Sequence, residues 1–204
     1  MTFVARDPVQ VRLTGTGGQG VITAGIILAE AALMDGRNVV QTQSYGPEAR
    51  LGASKSEVII STRKIAYPQV TVPDVLLCLS EDAFNKYFRE RHDDTIVLLD
   101  SAVTDEPVED GRRIFKLPIV ATALQVGPKV VVNVVALAAL NALTGLVSQA
   151  ALKAAVLRRV PVRLREPNEA AFAAGERLAV TAQEAIPRGR SHRPAVNSNP
   201  AQGG

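Results

Sequence analysis

Apolar and polar residues alternate over residues 9–13, and the run then breaks into glycine, as a strand entering a turn does. Helix formers follow from 19 to 34, until Asp35-Gly36 stops them. Further strands are predicted at 37–42, 57–61, 75–79, 95–99 and 111–116. Ser80 precedes Glu81 and Asp82 and reads as the N-cap of a helix through Arg89. Beyond Pro118 the pattern becomes helical. Two helices flank Val126-Gly127-Pro128, the second ending at Thr144-Gly145. A third covers 148–159 and a last one 166–185.

Strands alternating with helices, followed by helices alone, predict an α/β fold. We expect a mostly parallel, Rossmann-like sheet with flanking helices and a helical C-terminal part from about residue 118. One domain over 1–186 and a flexible basic tail over 187–204 complete the expected organisation. In such sheets ligands sit beyond the carboxyl ends of the strands.

Composition narrows the picture. Hydrophobic residues make up 47 % and aromatics only 4 %, with no Trp, so the core is aliphatic. The formal charge is +3, and Arg188, Arg190 and Arg193 in the tail account for the excess. A neutral body argues against nucleic-acid binding. The longest apolar run, 130–143, is interrupted by Asn133 and Asn141 and is short of the roughly 20 residues that span a bilayer. With no signal-like apolar segment at the start and a lone Cys78 inside VLLCLS, we expect a cytoplasmic chain, no membrane contact and a buried, inert thiol. Asn133 and Asn141 are eight residues apart, on one side of their helix, and read as satisfying backbone or partner groups.

Two loops hold the candidate chemistry. Gly15, Gly17 and Gly20 form GxGxxG between a strand and a helix, with Gly18 and Gln19 inside it. Glycines let a backbone approach a phosphate, and a helix start offers N–H groups to an anion. No carboxylate lies at Val39-Val40-Gln41-Thr42-Gln43, where a dinucleotide's ribose needs one, which disfavours NAD. Val21-Ile22 replaces the Lys and Ser/Thr of a Walker loop, which disfavours ATP hydrolysis. A tight turn serving only packing stays open. The second loop, 43–57, reads QSYGPEARLGASKSE. Its Arg50 and Lys55 are candidate phosphate partners.

Together, GTGGQGV and QSYGPEARLGASKSEVIIS resemble the gamma subunit of 2-oxoacid:ferredoxin (acceptor) oxidoreductases, the pyruvate, ketoisovalerate and 2-oxoglutarate family. YPQVTVPDVLLCLS, KVVVNVVALAALNALTG and EPNEAAFAAGERLA extend the resemblance over about 9–183. The resemblance implies a multisubunit enzyme that oxidatively decarboxylates a 2-oxoacid to an acyl-CoA. It implies thiamine diphosphate, Mg and 4Fe-4S clusters in alpha, beta and ferredoxin-like delta partners. Ferredoxin, or NAD through a flavin subunit, is the implied acceptor. This chain would contribute to coenzyme A binding and assembly and would not be catalytic alone. The implied coenzyme A contacts are Gly15, Gly17, Gly18, Gln19 and Gly20, with Arg50 and Lys55 for phosphates and Ser44 and Tyr45 along the pantetheine arm. No catalytic residue and no metal ligand is expected here. The wording of the second loop resembles 2-oxoglutarate-type chains most. An aryl 2-oxoacid such as phenylglyoxylate stays open, as do a free-standing Rossmann-type nucleotide-binding protein and a purely structural subunit.

Overall fold

A computed structural model describes residues 6–44, 53–105 and 113–185. Six strands form one sheet in the order β2-β3-β1-β4-β5-β6. They are β1 (Val9–Gly15), β2 (Asn38–Ser44), β3 (Ser54–Ser61), β4 (Val75–Cys78), β5 (Ile96–Asp100) and β6 (Ile114–Leu117). Six helices accompany them: α1 (Val21–Met34), α2 (Glu81–Tyr87), α3 (Ile119–Val126), α4 (Val132–Thr144), α5 (Gln149–Arg159) and α6 (Arg165–Ala185).

The sheet is mixed. β1, β4, β5 and β6 pair in parallel, while β3 runs antiparallel to both β1 and β2. β2 therefore points the same way as β1, and only β3 is reversed. The chain from Ser44 to Ser54 is shorter than the dozen or so residues a parallel crossover needs, so the next strand turns back. This reversal brings both ends of the second candidate loop to the rim where β1 and β4 also end.

Alternation along each strand sorts the two faces. Val9, Val11 and Leu13 of β1 join Val58, Ile60, Val75, Leu77 and Leu98 under α1, α4, α5 and α6. The opposite face places Leu76, Cys78, Val97 and Leu99 against Ala83 and Tyr87 of α2 and its following turn. The larger core is nearly all aliphatic, as the composition requires. α4 is buried along almost its whole length and packs closely on α6. A Cβ at Gly175 of α6 would run into the Val135 carbonyl oxygen and come within 2.8 Å of Ala138 Cβ. Gly175 thus sets the distance between the two helices.

Polar side chains fix the connections. Ser80 and Ser148 cap α2 and α5 by accepting from Ala83 N and Ala151 N. The Asp35 carboxylate accepts from the Ser148 N–H and hydroxyl, both at 2.6 Å, and so ties the end of α1 to the start of α5. Asp100, at the end of β5, accepts from Val120 N at 2.7 Å and holds the first turn of α3. Asn141 donates to Val147 O and accepts from Val147 N, both at 3.0 Å, which closes the turn after α4. Asn168 lies in the first turn of α6. Its Nδ2 donates to Leu164 O at 2.7 Å, because the 3₁₀ turn Val162–Leu164 feeds directly into the helix.

Candidate functional site

β1 ends at Gly15 and the chain turns through Thr16, Gly17, Gly18 and Gln19 into α1. The turn is held from inside. Gln19 Oε1 accepts from Thr16 N at 2.8 Å, and Gln19 Nε2 donates to Leu79 O at 2.7 Å. Leu79 N donates in turn to Thr14 O at 3.0 Å. The Gln19 amide therefore staples the loop to the exit of β4. A Cβ on Gly15 would come within 2.5 Å of that amide's oxygen, so a side chain there would push Gln19 out of its hydrogen bonds to Thr16 and Leu79.

Gly17 and Gly18 face the other way. Both are exposed, and a Cβ built on either meets nothing within 4 Å. Gly18 has φ +86° and Gly20 φ +72°, conformations that side-chain-bearing residues rarely adopt. Gly20 is the N-cap of α1. No side chain caps this helix and its first turn has no acid. The first N–H groups of a helix have no intrahelical acceptor, and the helix dipole adds positive potential there. The combination of an open glycine surface and an uncapped helix start suits a phosphate-sized anion.

The reversed β3 brings a cation to the same rim, on the sheet face away from α1. In the sheet register, Cys78, Thr14, Lys55 and Ser44 form one row across β4, β1, β3 and β2, and Gly15 pairs with Ser54. Lys55 and exposed Ser44 thus sit at the same rim as the glycine turn. Lys55 is not a lone cation. Its Nζ lies 3.1 Å from Glu57 Oε1, and the same oxygen accepts from Arg12 Nε at 2.8 Å. A phosphate would compete with Glu57 for it. Tyr45 and Arg50 lie outside the described residues.

Asn133 joins the site from a distant part of the chain. It lies in the first turn of α4, is 6 % exposed, and its Nδ2 is 3.5 Å from Gly20 O. A Cβ on Gly20 would approach that amide to 2.9 Å. A buried asparagine in an apolar helix announces a polar partner. Its partner is not readable from the sequence, since 113 positions separate the two.

Other features lie elsewhere. A cavity of about 370 Å³ is bounded by Gln10, Ile59, Ser61, Arg63 and Tyr67, with neighbours in the same loop, at the opposite end of β1 and β3. One of about 170 Å³ lies between α2 and the segment after β5. Neither is lined by the glycine turn. Burial pushes the Cys78 thiol up to about 12, so it is no nucleophile. His92 is exposed. Among the described residues no three His, Cys, Asp or Glu side chains are grouped to hold a metal ion, and no helix is long and apolar enough to cross a membrane.

The family model for pyruvate ferredoxin/flavodoxin oxidoreductase matches residues 10–178. The chain belongs to this family. Within it, the similarity is to gamma-type chains. Subunit KorC of 2-oxoglutarate synthase from Methanocaldococcus jannaschii is 44 % identical over 174 residues, which cover 83 % of this chain and 93 % of the relative. The solved gamma subunit of a keto/oxoacid ferredoxin oxidoreductase from Geobacter sulfurreducens is 43 % identical, with TM-score 0.77 over 87 % of this chain and 99 % of that one. The 2-oxoglutarate:ferredoxin oxidoreductase of Magnetococcus marinus, solved with 2-oxoglutarate, coenzyme A and succinyl-CoA bound, matches at 26 % identity and TM-score 0.78. There the match covers 89 % of this chain but 32 % of the longer one. The fold is thus shared with the solved gamma subunit.

Proposed function

We propose that this gamma-type chain serves a multisubunit complex that oxidatively decarboxylates 2-oxoglutarate and transfers the acyl group to coenzyme A. The observation that supports this reading best is the 44 % identity to a 2-oxoglutarate synthase subunit over 93 % of that subunit's length. Thiamine diphosphate, magnesium and 4Fe-4S clusters belong, in this reading, to alpha, beta and delta partners. An aryl 2-oxoacid has no comparable support among the relatives described above.

The glycine turn is the part of this chain that receives coenzyme A. Its fit rests on Gly17 and Gly18, which leave open space at the rim, and on the uncapped start of α1. Backbone N–H groups of Gly17, Gly18 and Gly20 would meet the pyrophosphate, and Gly15 and Gln19 keep the turn in shape. Lys55, released from Glu57, and Arg50 would pair with phosphate oxygens. Ser44 and Tyr45 would contact the pantetheine arm in this reading. When bound, coenzyme A supplies the thiol that accepts the acyl group. The chain's own work is to bind and orient that molecule. The reading of a free-standing dinucleotide enzyme has less support, because β2 ends in Gln41, Thr42, Gln43 and Ser44 without a carboxylate.

The test uses the assembled complex and an artificial electron acceptor. Arg50→Ala raises KM for coenzyme A about 10–100-fold, the size of one lost charge-assisted contact, while kcat at saturating coenzyme A changes little. Gly18→Val is worse, because a side chain covers the backbone there. Unchanged coenzyme A dependence in both variants overturns the assignment of the turn and leaves it a packing device.

A further inference from the structure

We infer that the cavity at the far end of β1 and β3, with Tyr67 beside it, seats a segment of a partner subunit that presents an apolar side chain next to a carboxylate. This rests on the multisubunit reading above and adds a surface to it. Gln10 and Ile59 face away from α1, since their strand neighbours Val9, Val11, Val58 and Ile60 face towards it. With Ser61, Arg63 and Ile65 they bound about 370 Å³ beside the chain that leaves β3. Docking there leaves the opposite rim, with the glycine turn, free for coenzyme A.

The chemistry of the lining selects the occupant. Pro8, Ile59, Ile65 and Ala66 supply apolar surface, and no carboxylate among the described residues lines the cavity. The acceptors of two lining side chains are already engaged: Gln10 Oε1 accepts from Thr71 N at 2.9 Å, and Ser61 Oγ from Arg63 N at 3.0 Å. Arg63 is tied to Asp7, at 3.7 Å from its carboxylate and 3.1 Å from its carbonyl oxygen. The groups left over are donors. Lys64 has no ion pair or hydrogen bond among the described residues, and Gln10 Nε2 has no acceptor among them. An ammonium and an amide N–H beside an apolar wall call for a carboxylate carried next to an apolar group.

Tyr67 indicates that the carrier is a protein surface. The ring is 60 % exposed, and its hydroxyl donates to Gln69 Oε1 at 2.8 Å, which orients it at the edge of the cavity. An exposed aromatic beside an open apolar pocket and an unpaired cation has the composition of the centre of a protein interface. Tyr67 also opens YPQVTVPD, a stretch of the sequence that the glycine turn leaves unused.

The experiment measures how firmly the assembled complex retains this chain on dilution, by native mass spectrometry. Tyr67→Ala and Lys64→Glu each release the chain at a concentration about 10-fold higher than the parent, and Lys64→Arg behaves as the parent. The Lys64→Glu defect shrinks at high salt, as a contact between exposed charges requires. Both side chains are exposed, so the unfolding midpoint of the free chain stays unchanged and loss of fold is excluded as the cause. A photocrosslinking amino acid at position 67 reacts with an alpha, beta or delta subunit, at a segment where Asp or Glu adjoins an apolar residue. Parent-like retention of both variants overturns the inference, and so does a crosslink to a second copy of this chain. A parent chain that joins none of these subunits sinks the multisubunit reading itself. A parent that joins them while the variants join equally well sinks only the present inference.

Discussion

Arg12 of β1 and Glu57 of β3 stand opposite one another in the sheet and are joined at 2.8 Å, with Arg12 only 3 % exposed. Arg12 also reaches Glu90, donates to Val70 O at 3.4 Å and lies 5.6 Å from the Tyr87 ring centroid. One arginine thus pins the connection between β3 and β4 and the turn after α2 onto the sheet. Removing a partner strands a buried charge. Glu57→Gln is expected to cost about 3 kcal/mol in chemical denaturation, near the low end for a broken buried pair because Glu90 remains. Glu90→Gln costs less, since that side chain is 49 % exposed. Equal losses in the two variants would show that Glu57 is not the principal counter-charge.

Strand direction was the feature of the fold that residue pattern did not reveal. Alternation over 9–13 and the serine caps at 80 and 148 mark elements by local physics, and each is observed. Alternation reads the same in both directions, however, so the reversal of β3 was not visible. β3 also begins at Ser54, earlier than the expected 57, because Lys55, Ser56 and Glu57 look like loop residues. They tolerate the sheet through specific partners. Ser56 is buried where Gly25 of α1 leaves room and its hydroxyl accepts from Gln41 Nε2 at 3.0 Å, while Glu57 meets Arg12. The glycine turn was legible because positive φ and close approach both select glycine. Its junction with Asn133 was not, since it depends on how α4 crosses behind α1.

Gly175 is expected to tolerate no side chain. In Gly175→Ala the new methyl meets the Val135 carbonyl oxygen and Ala138 Cβ, both parts of a buried helix that cannot swing aside. Overpacking of this kind costs about 1–3 kcal/mol, which outweighs the gain of up to about 1 kcal/mol from replacing glycine in a helix. A lowered midpoint of thermal unfolding checks this. An unchanged or raised midpoint would mean that α4 and α6 separate freely.

Acid weakens the bond between α1 and α5. Glu30 accepts from Arg159 Nη2 at 2.6 Å and Nε at 2.9 Å, and these hydrogen bonds hold its carboxyl below the usual glutamate value. A carboxylate with a depressed folded pKa stabilises above its unfolded pKa and loses that contribution as pH falls through the folded value. The pair is partly exposed, so the contribution is less than about 1 kcal/mol. Glu30→Gln is accordingly less stable than the parent at pH 7, and the two converge in acid as the parent's Glu30 becomes protonated. A difference that persists unchanged into strong acid would exclude the ion pair as its source.

Gly17 separates binding from folding more cleanly than its neighbours. Unlike Gly18 and Gly20 it has no positive φ, and a Cβ there meets nothing within 4 Å. Gly17→Ala therefore leaves the unfolding midpoint within the small range of ordinary surface changes, about 0.5 kcal/mol. Gly18→Ala forces a side chain into the left-handed region and costs about 1 kcal/mol. If the turn exists to place its N–H groups against a pyrophosphate, both variants raise KM for coenzyme A, and Gly17→Val raises it further as the side chain grows over the backbone. The decisive comparison is between the two readouts in Gly17→Val: stability retained with coenzyme A binding lost assigns Gly17 to the ligand. Stability and binding both retained would leave this open turn without a ligand, and would strip the glycines of any purpose but the path of the chain.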